Sequence, residues 1–171
     1  MISQFMHPAA GFIALALVMP FLRSSAWRWL ILLPPIAALY SVFTMSQGVF
    51  GHLPYLGQDL VLGRVDKLSL VFANVFAIQA LVGMIYALHV KERVHHIAAS
   101  LYVAGSFGCV FAGDYLTLFI FWELMSVSSV FLVWLRREAA SRQAGFRYFM
   151  FHTLGGLFLL GGLLLHRIMG T

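Results

Sequence analysis

Glu123 is the only charged residue within the run from Tyr115 to Trp134, whose other members are apolar or carry a hydroxyl. A carboxylate held at mid-bilayer costs about 2.5–3.5 kcal/mol on insertion scales, so a chain that keeps one normally uses it to move protons or ions. Desolvation favours the neutral form of a carboxyl and a nearby ammonium favours the charged form. The approach or withdrawal of a basic group therefore decides which partner holds the proton. The alternative role is a protonated carboxyl hydrogen-bonded to another helix for packing. Such contacts average about 0.6 kcal/mol, little against the insertion cost. Ser126, three residues on, shares the Glu123 face and is placed either to hydrogen-bond it or simply to pack. His152 is polar among apolar neighbours, and an imidazole can both accept and give a proton, which suits a relay as well as a locally satisfied structural histidine.

Other polar residues in the apolar runs point to simpler roles. Asp114 precedes a helical run and reads as its N-cap. Cys109 can form no internal disulfide and reads as a small buried hydrophobe. Gly155, Gly156, Gly161 and Gly162 offer a smooth face to a neighbouring helix. Trp122 and Phe121 read as packing residues, and Trp27, Trp29 and Trp134 as an interfacial belt. His152 and His166 are 14 residues apart on one run, a spacing used in two-haem bundles, but such bundles need matched histidines on a facing helix. His89, His95 and His96 cluster at one membrane edge and His52 lies in a loop, so no haem, metal or other cofactor is expected. No Walker loop, nucleophile elbow or zinc-type motif is present, and no enzyme class is indicated.

These residues sit in a chain of 171 residues that is 61% hydrophobic and 10% charged, against roughly 45–50% and about 25% for an ordinary soluble domain. The expected fold is an all-α polytopic transmembrane bundle, a single domain over residues 1–171. Apolar runs of about 20 residues, the length that crosses the hydrocarbon, fall at about residues 3–22, 27–47, 68–89, 94–112, 114–135 and 145–168. The first reads as a retained span, since no basic n-region or small-residue cleavage site is evident. Ala112-Gly113-Asp114 is so tight a turn that the fourth and fifth spans must be antiparallel neighbours. Arg23, Arg28, Lys91, Arg93, Arg136, Arg137, Arg142 and Arg147 fall on one side, and only Arg64, Lys67 and Arg167 on the other. That bias predicts both termini outside. The same bias explains the net charge of +5 without a nucleic-acid partner. The stretch from Gly48 to Lys67, with Gly48, Gly51, Pro54, Gly57 and Gly63, reads as an irregular external loop with an extended piece at Leu60-Val61-Leu62.

From the third span onward the local patterns are more particular. They are Val65-Asp66-Lys67-Leu68-Ser69-Leu70-Val71-Phe72, Met84-Ile85-Tyr86-Ala87, then Gly113-Asp114-Tyr115-Leu116-Thr117-Leu118-Phe119-Ile120-Phe121-Trp122-Glu123-Leu124-Met125-Ser126-Val127-Ser128-Ser129. Ala144-Gly145-Phe146-Arg147-Tyr148-Phe149, His152-Thr153-Leu154-Gly155-Gly156 and the closing Gly170-Thr171 follow. In these blocks, over residues 65–171, the chain resembles the antiporter-like subunits shared by respiratory complex I, membrane-bound hydrogenases and Mrp-type cation/proton antiporters. Its wording is most similar to the D-type subunits of the last group. The resemblance implies that Glu123 is the family's proton-path glutamate. It also implies a lysine partner on a later helix, for which this sequence has no position: Lys67 and Lys91 flank spans.

The expected function is thus the N-terminal portion of a monovalent cation (Na+)/proton antiporter subunit in a bacterial inner membrane. A companion chain would supply the later helices and the buried lysine, and the piece alone would not transport. Two other readings are a membrane-arm subunit of a redox-driven, complex I-like or hydrogenase-linked assembly, and a structural remnant that moves nothing.

Overall fold

The computed structural model describes residues 6–22, 27–55 and 58–170. Residues 3–5 of the first expected span, Arg23, Gly57 and Thr171 lie outside the described residues. The chain folds as an all-α membrane bundle with one hairpin inserted. Helix α1 (Pro8–Val18) ends in a 3-10 turn at Met19–Phe21, where Pro20 follows. The second expected span is broken: a single turn, α2 (Trp27–Leu30), is followed by α3 (Leu33–Thr44). Pro34 and Pro35 have no backbone N–H to give to the preceding turn but suit the first positions of a new helix. Helices α4 (Lys67–Tyr86), α5 (Arg93–Phe111), α6 (Tyr115–Trp134) and α7 (Ala139–Met169) follow. Five segments, Trp27–Thr44, Lys67–His89, Arg93–Phe111, Tyr115–Trp134 and Ala139–Met169, are long and apolar enough to cross a membrane, and Pro8–Phe21 is a shorter apolar helix.

Two boundaries differ from the sequence reading in ways that matter. Helix α7 starts at Ala139, so Arg142 and Arg147 belong to its first turns and not to a loop. Nothing between Ala139 and Gly145 breaks a helix, and the charged residues there extend it past the apolar run. Residues 48–65 are not an irregular loop but an antiparallel hairpin, β1 (Gly48–Tyr55) paired with β2 (Gln58–Val65), in register from Gly48↔Val65 to Tyr55↔Gln58. Gly51 takes φ 68°, a left-handed conformation natural to glycine, and Pro54 is tolerated because a two-stranded sheet has only edges. The expected extended piece, Leu60 to Leu62, lies inside β2.

Helix α5 is the hub. Phe107 and Phe111 on it are fully buried, Phe107 stacking on Phe12 of α1 (5.8 Å) and meeting Phe76 of α4 edge-on (6.3 Å). Ala73, Ala77 and Ala80 put a small-residue stripe on the buried face of α4. On its other side α5 carries Gly105 and Gly108 against α6. A side chain at Gly108 would overlap the Phe121 ring, and one at Gly105 would crowd the Phe121 carbonyl and Met125. These glycines let α6 lie close to α5, antiparallel, as the three-residue turn demands. Trp27, at the start of its span, does not face outward: it is buried against His96, with Arg93 over its ring, whereas Trp29 is exposed. The α2–α3 break turns Trp27 inward.

Candidate functional site

The helix that carries Glu123 is fixed at its N-terminus by Asp114. One carboxylate oxygen accepts the Thr117 N–H (2.9 Å), and the other accepts the Thr117 hydroxyl and the Val61 N–H (2.7 Å). Val61 in turn accepts the Gly113 N–H through its carbonyl (2.9 Å). Asp114 is therefore the expected N-cap and also a clamp that ties hairpin to helix. Burial would raise the Asp114 carboxyl, but the hydrogen bonds from the Thr117 hydroxyl and N–H and from Val61 outweigh it and hold it below its ordinary 3.8.

Phe121 and Met125, four residues apart, share the α6 face turned to α5. A two-residue step turns about 200° around a helix, so Glu123 faces the opposite side, toward α7. There it meets Gly156: a Cβ on Gly156 would overlap the Glu123 carboxylate. Of the four glycines expected to form a smooth face, only Gly156 has a neighbour among the described residues. Gly155, Gly161 and Gly162 open onto empty space. Glu123 is half-buried, and among the described residues no lysine, arginine or histidine forms an ion pair with it.

Helices α6 and α7 are antiparallel, in contact from Trp134 against Gly145, through Ser129 with Tyr148 and Glu123 with Gly156, to Tyr115 edge-on to His166 (5.6 Å). Ser126 is buried one turn from Glu123, and no hydrogen bond joins the two among the described residues. Instead the Ser126 carbonyl accepts the Ser129 hydroxyl (2.6 Å), whose oxygen lies 3.1 Å from the Tyr148 hydroxyl. The Tyr148 ring is 4.2 Å from the His152 imidazole, centroid to centroid. His152 is one turn before Gly156, so about 6 Å of rise separates it from the level of Glu123. The three expected residues thus share one seam, linked in part by Ser129 and Tyr148, which the sequence reading did not single out. Their signal was available: Ser129 is three residues after Ser126, and Tyr148 four before His152.

The family model described as NADH:quinone oxidoreductase/Mrp antiporter, TM, matches residues 112–171. That stretch takes in the Asp114 cap and both helices of the Glu123 seam. The chain belongs to the antiporter-like membrane subunit family. Relatives within it include the A-type subunit of a Na(+)/H(+) antiporter from Alkalihalophilus pseudofirmus, 28% identical over 92% of this chain and 22% of that protein. A putative antiporter subunit mnhA2 from Staphylococcus saprophyticus is 31% identical over 82% of this chain and 20% of the relative. The family likeness expected from the sequence is borne out, while these relatives are of the A type and not the D type. The chain thus spans about a fifth of the length of these curated relatives. A chain in the archaeal membrane-bound sulfane sulfur reductase, a respiratory membrane complex, superposes with a TM-score of 0.68 at 20% identity, over 92% of this chain and 36% of that one. It shares the fold of this family member.

Proposed function

We propose that these helices are part of a monovalent cation (Na+)/proton antiporter subunit in a multisubunit complex of the bacterial inner membrane, with both termini outside. Glu123 is its proton-path carboxylate, and His152 and Ser126 belong to the same path. The observation that carries this reading is the Glu123 side chain itself. It lies in the α6–α7 seam, opposite a glycine that leaves room for it, with no basic partner among the described residues. A carboxylate kept in a span without a partner is costly, so this reading takes the partner from outside the described residues. In the proposed assembly it is a lysine on a helix of a companion chain, and movement of that ammonium sets the protonation of Glu123. Along α7 only Ser141, Gly145 and Gly156 are buried among the described residues, which leaves most of its surface for such helices.

Reconstitution of the parent assembly with Glu123→Gln tests the reading. The amide keeps the shape and removes the titration, so cation-driven proton flux should fall to background while the complex still assembles. Undiminished flux would refute the role of Glu123 and leave scaffolding as the function of this piece. The family model's description also covers redox-driven complexes. Proton movement that requires electron transfer and ignores a sodium gradient would favour that driving force.

A further inference from the structure

The connection from α6 into α7 forms an open cavity of about 650 Å³ lined by Trp134, Arg137, Arg142 and Phe146. It lies beyond the C-terminal end of α6, at the end of a span, and so at the depth of the lipid headgroups. Two arginines and two aromatic residues are a lining suited to a phosphate at an interface, since the guanidinium fork matches phosphate oxygens. The charge balance leaves the cavity positive. Arg136 pairs with Glu138 at 3.1 Å and Arg137 reaches Glu92 at a long 3.6 Å with both side chains well exposed, whereas Arg142 has no carboxylate within ion-pair distance among the described residues. Exposed pairs of this kind are weak and exchange readily.

The backbone gives a second, independent observation. Arg137 has φ 58° and is the one non-glycine residue with positive φ among the described residues. It follows the end of α6, where glycine commonly sits because any other L residue strains there. An arginine there places its guanidinium at the cavity at the expense of that strain. The Trp134 indole lies against Gly145, where a Cβ would overlap it, so the aromatic wall is held in place. Glu138 makes no side-chain cap bond to the start of α7, and the helix end adds to the positive potential.

We propose that this cavity binds the phosphodiester headgroup of an anionic phospholipid, with Arg137 and Arg142 holding the phosphate and Trp134 and Phe146 flanking the glycerol. Basic pockets between membrane helices take such headgroups, each arginine near the surface strengthening binding by about fivefold. The site is independent of Glu123. The test is native mass spectrometry of the full chain in neutral detergent, titrated with phosphatidylglycerol, phosphatidylcholine or inorganic phosphate. Phosphatidylglycerol should bind at least tenfold more tightly than phosphatidylcholine, and Arg142→Gln and Arg137→Gly should each weaken it by about fivefold. Arg137→Gly also relieves the turn, so its helical circular dichroism should be unchanged and loss of binding cannot be misfolding. Arg167→Gln, which removes the same charge at the far end of α7, should change affinity by less than twofold. Equal binding of both lipids, or equal effects of Arg142→Gln and Arg167→Gln, would overturn the proposal. Saturation by inorganic phosphate with no advantage for the lipid would overturn it too.

Discussion

Alanine at Gly108, Gly155 and Gly156 separates close helix packing from the placement of the carboxylate. At Gly155 a new Cβ meets nothing within 4 Å, so the helix gains about 1 kcal/mol from the loss of a glycine. At Gly156 the same gain is opposed by the Glu123 carboxylate, the far end of a flexible side chain that can swing aside. Leaving a preferred rotamer costs about 0.5–1.5 kcal/mol, so the net change in stability is close to zero. At Gly108 the Cβ meets the Phe121 ring at its root and edges, and a ring joined directly to Cβ cannot retreat without moving α6. Overpacking of this kind costs about 1–3 kcal/mol, which exceeds the helix gain. Denaturant or thermal unfolding of the chain in mild detergent, followed by circular dichroism, should therefore rank Gly155→Ala above Gly156→Ala above Gly108→Ala, with about 2 kcal/mol between the extremes. In the parent assembly Gly156→Ala should still lower proton flux about tenfold, because displacing a reacting group by about 1 Å is enough to do so. A Gly156→Ala protein as destabilised as Gly108→Ala would refute the freedom assigned to the carboxylate. Unchanged flux would refute the importance of its position.

Asp114→Ala should destabilise the chain by about 1–2 kcal/mol, the cost of a lost N-cap, in the same unfolding measurement. Because its folded-state pKa is depressed, the stability Asp114 gives is complete above its ordinary 3.8 and is lost as pH falls through the lower folded value, so wild type and Asp114→Asn should converge in strongly acidic buffer. Tyr148→Phe removes the hydroxyl near Ser129 and should cost about 0.6 kcal/mol, the average for polar contacts between membrane helices. Trp27→Ala should cost about 3 kcal/mol or more, and Trp29→Ala almost nothing, since only Trp27 is buried; equal melting points for the two would refute the packing role of Trp27.

Hydropathy and length made the helices legible, because a span must satisfy its backbone internally and expose apolar side chains to lipid, and both demands are local. Asp114 could be read as a cap for the same reason: its partner Thr117 lies within one turn. The hairpin could not be read from Gly48 to Val65, because strand pairing joins residues such as Gly48 and Val65 that are far apart in sequence. The break before α3 was written in Pro34-Pro35 but masked by the apolar residues on both sides. Trp27 stands near a span end, yet burial depends on which way a single turn points.

At Glu123, sequence identified an acid that lipid does not tolerate idly. Ser129 and Tyr148 are spaced one turn from Ser126 and His152 in sequence, but their pairing with each other needs the two antiparallel helices that set residues 129 and 148 side by side. A membrane bundle with a carboxylate inside one span follows from residue order alone, because transfer free energy is a property of each residue and its near neighbours. That Glu123 faces α7 and not α5, with a glycine opposite it, follows from helix packing. The direction of a side chain is settled by which helix packs on which face, and close packing at Gly105 and Gly108 gives one face of α6 to α5 and leaves the other to Gly156.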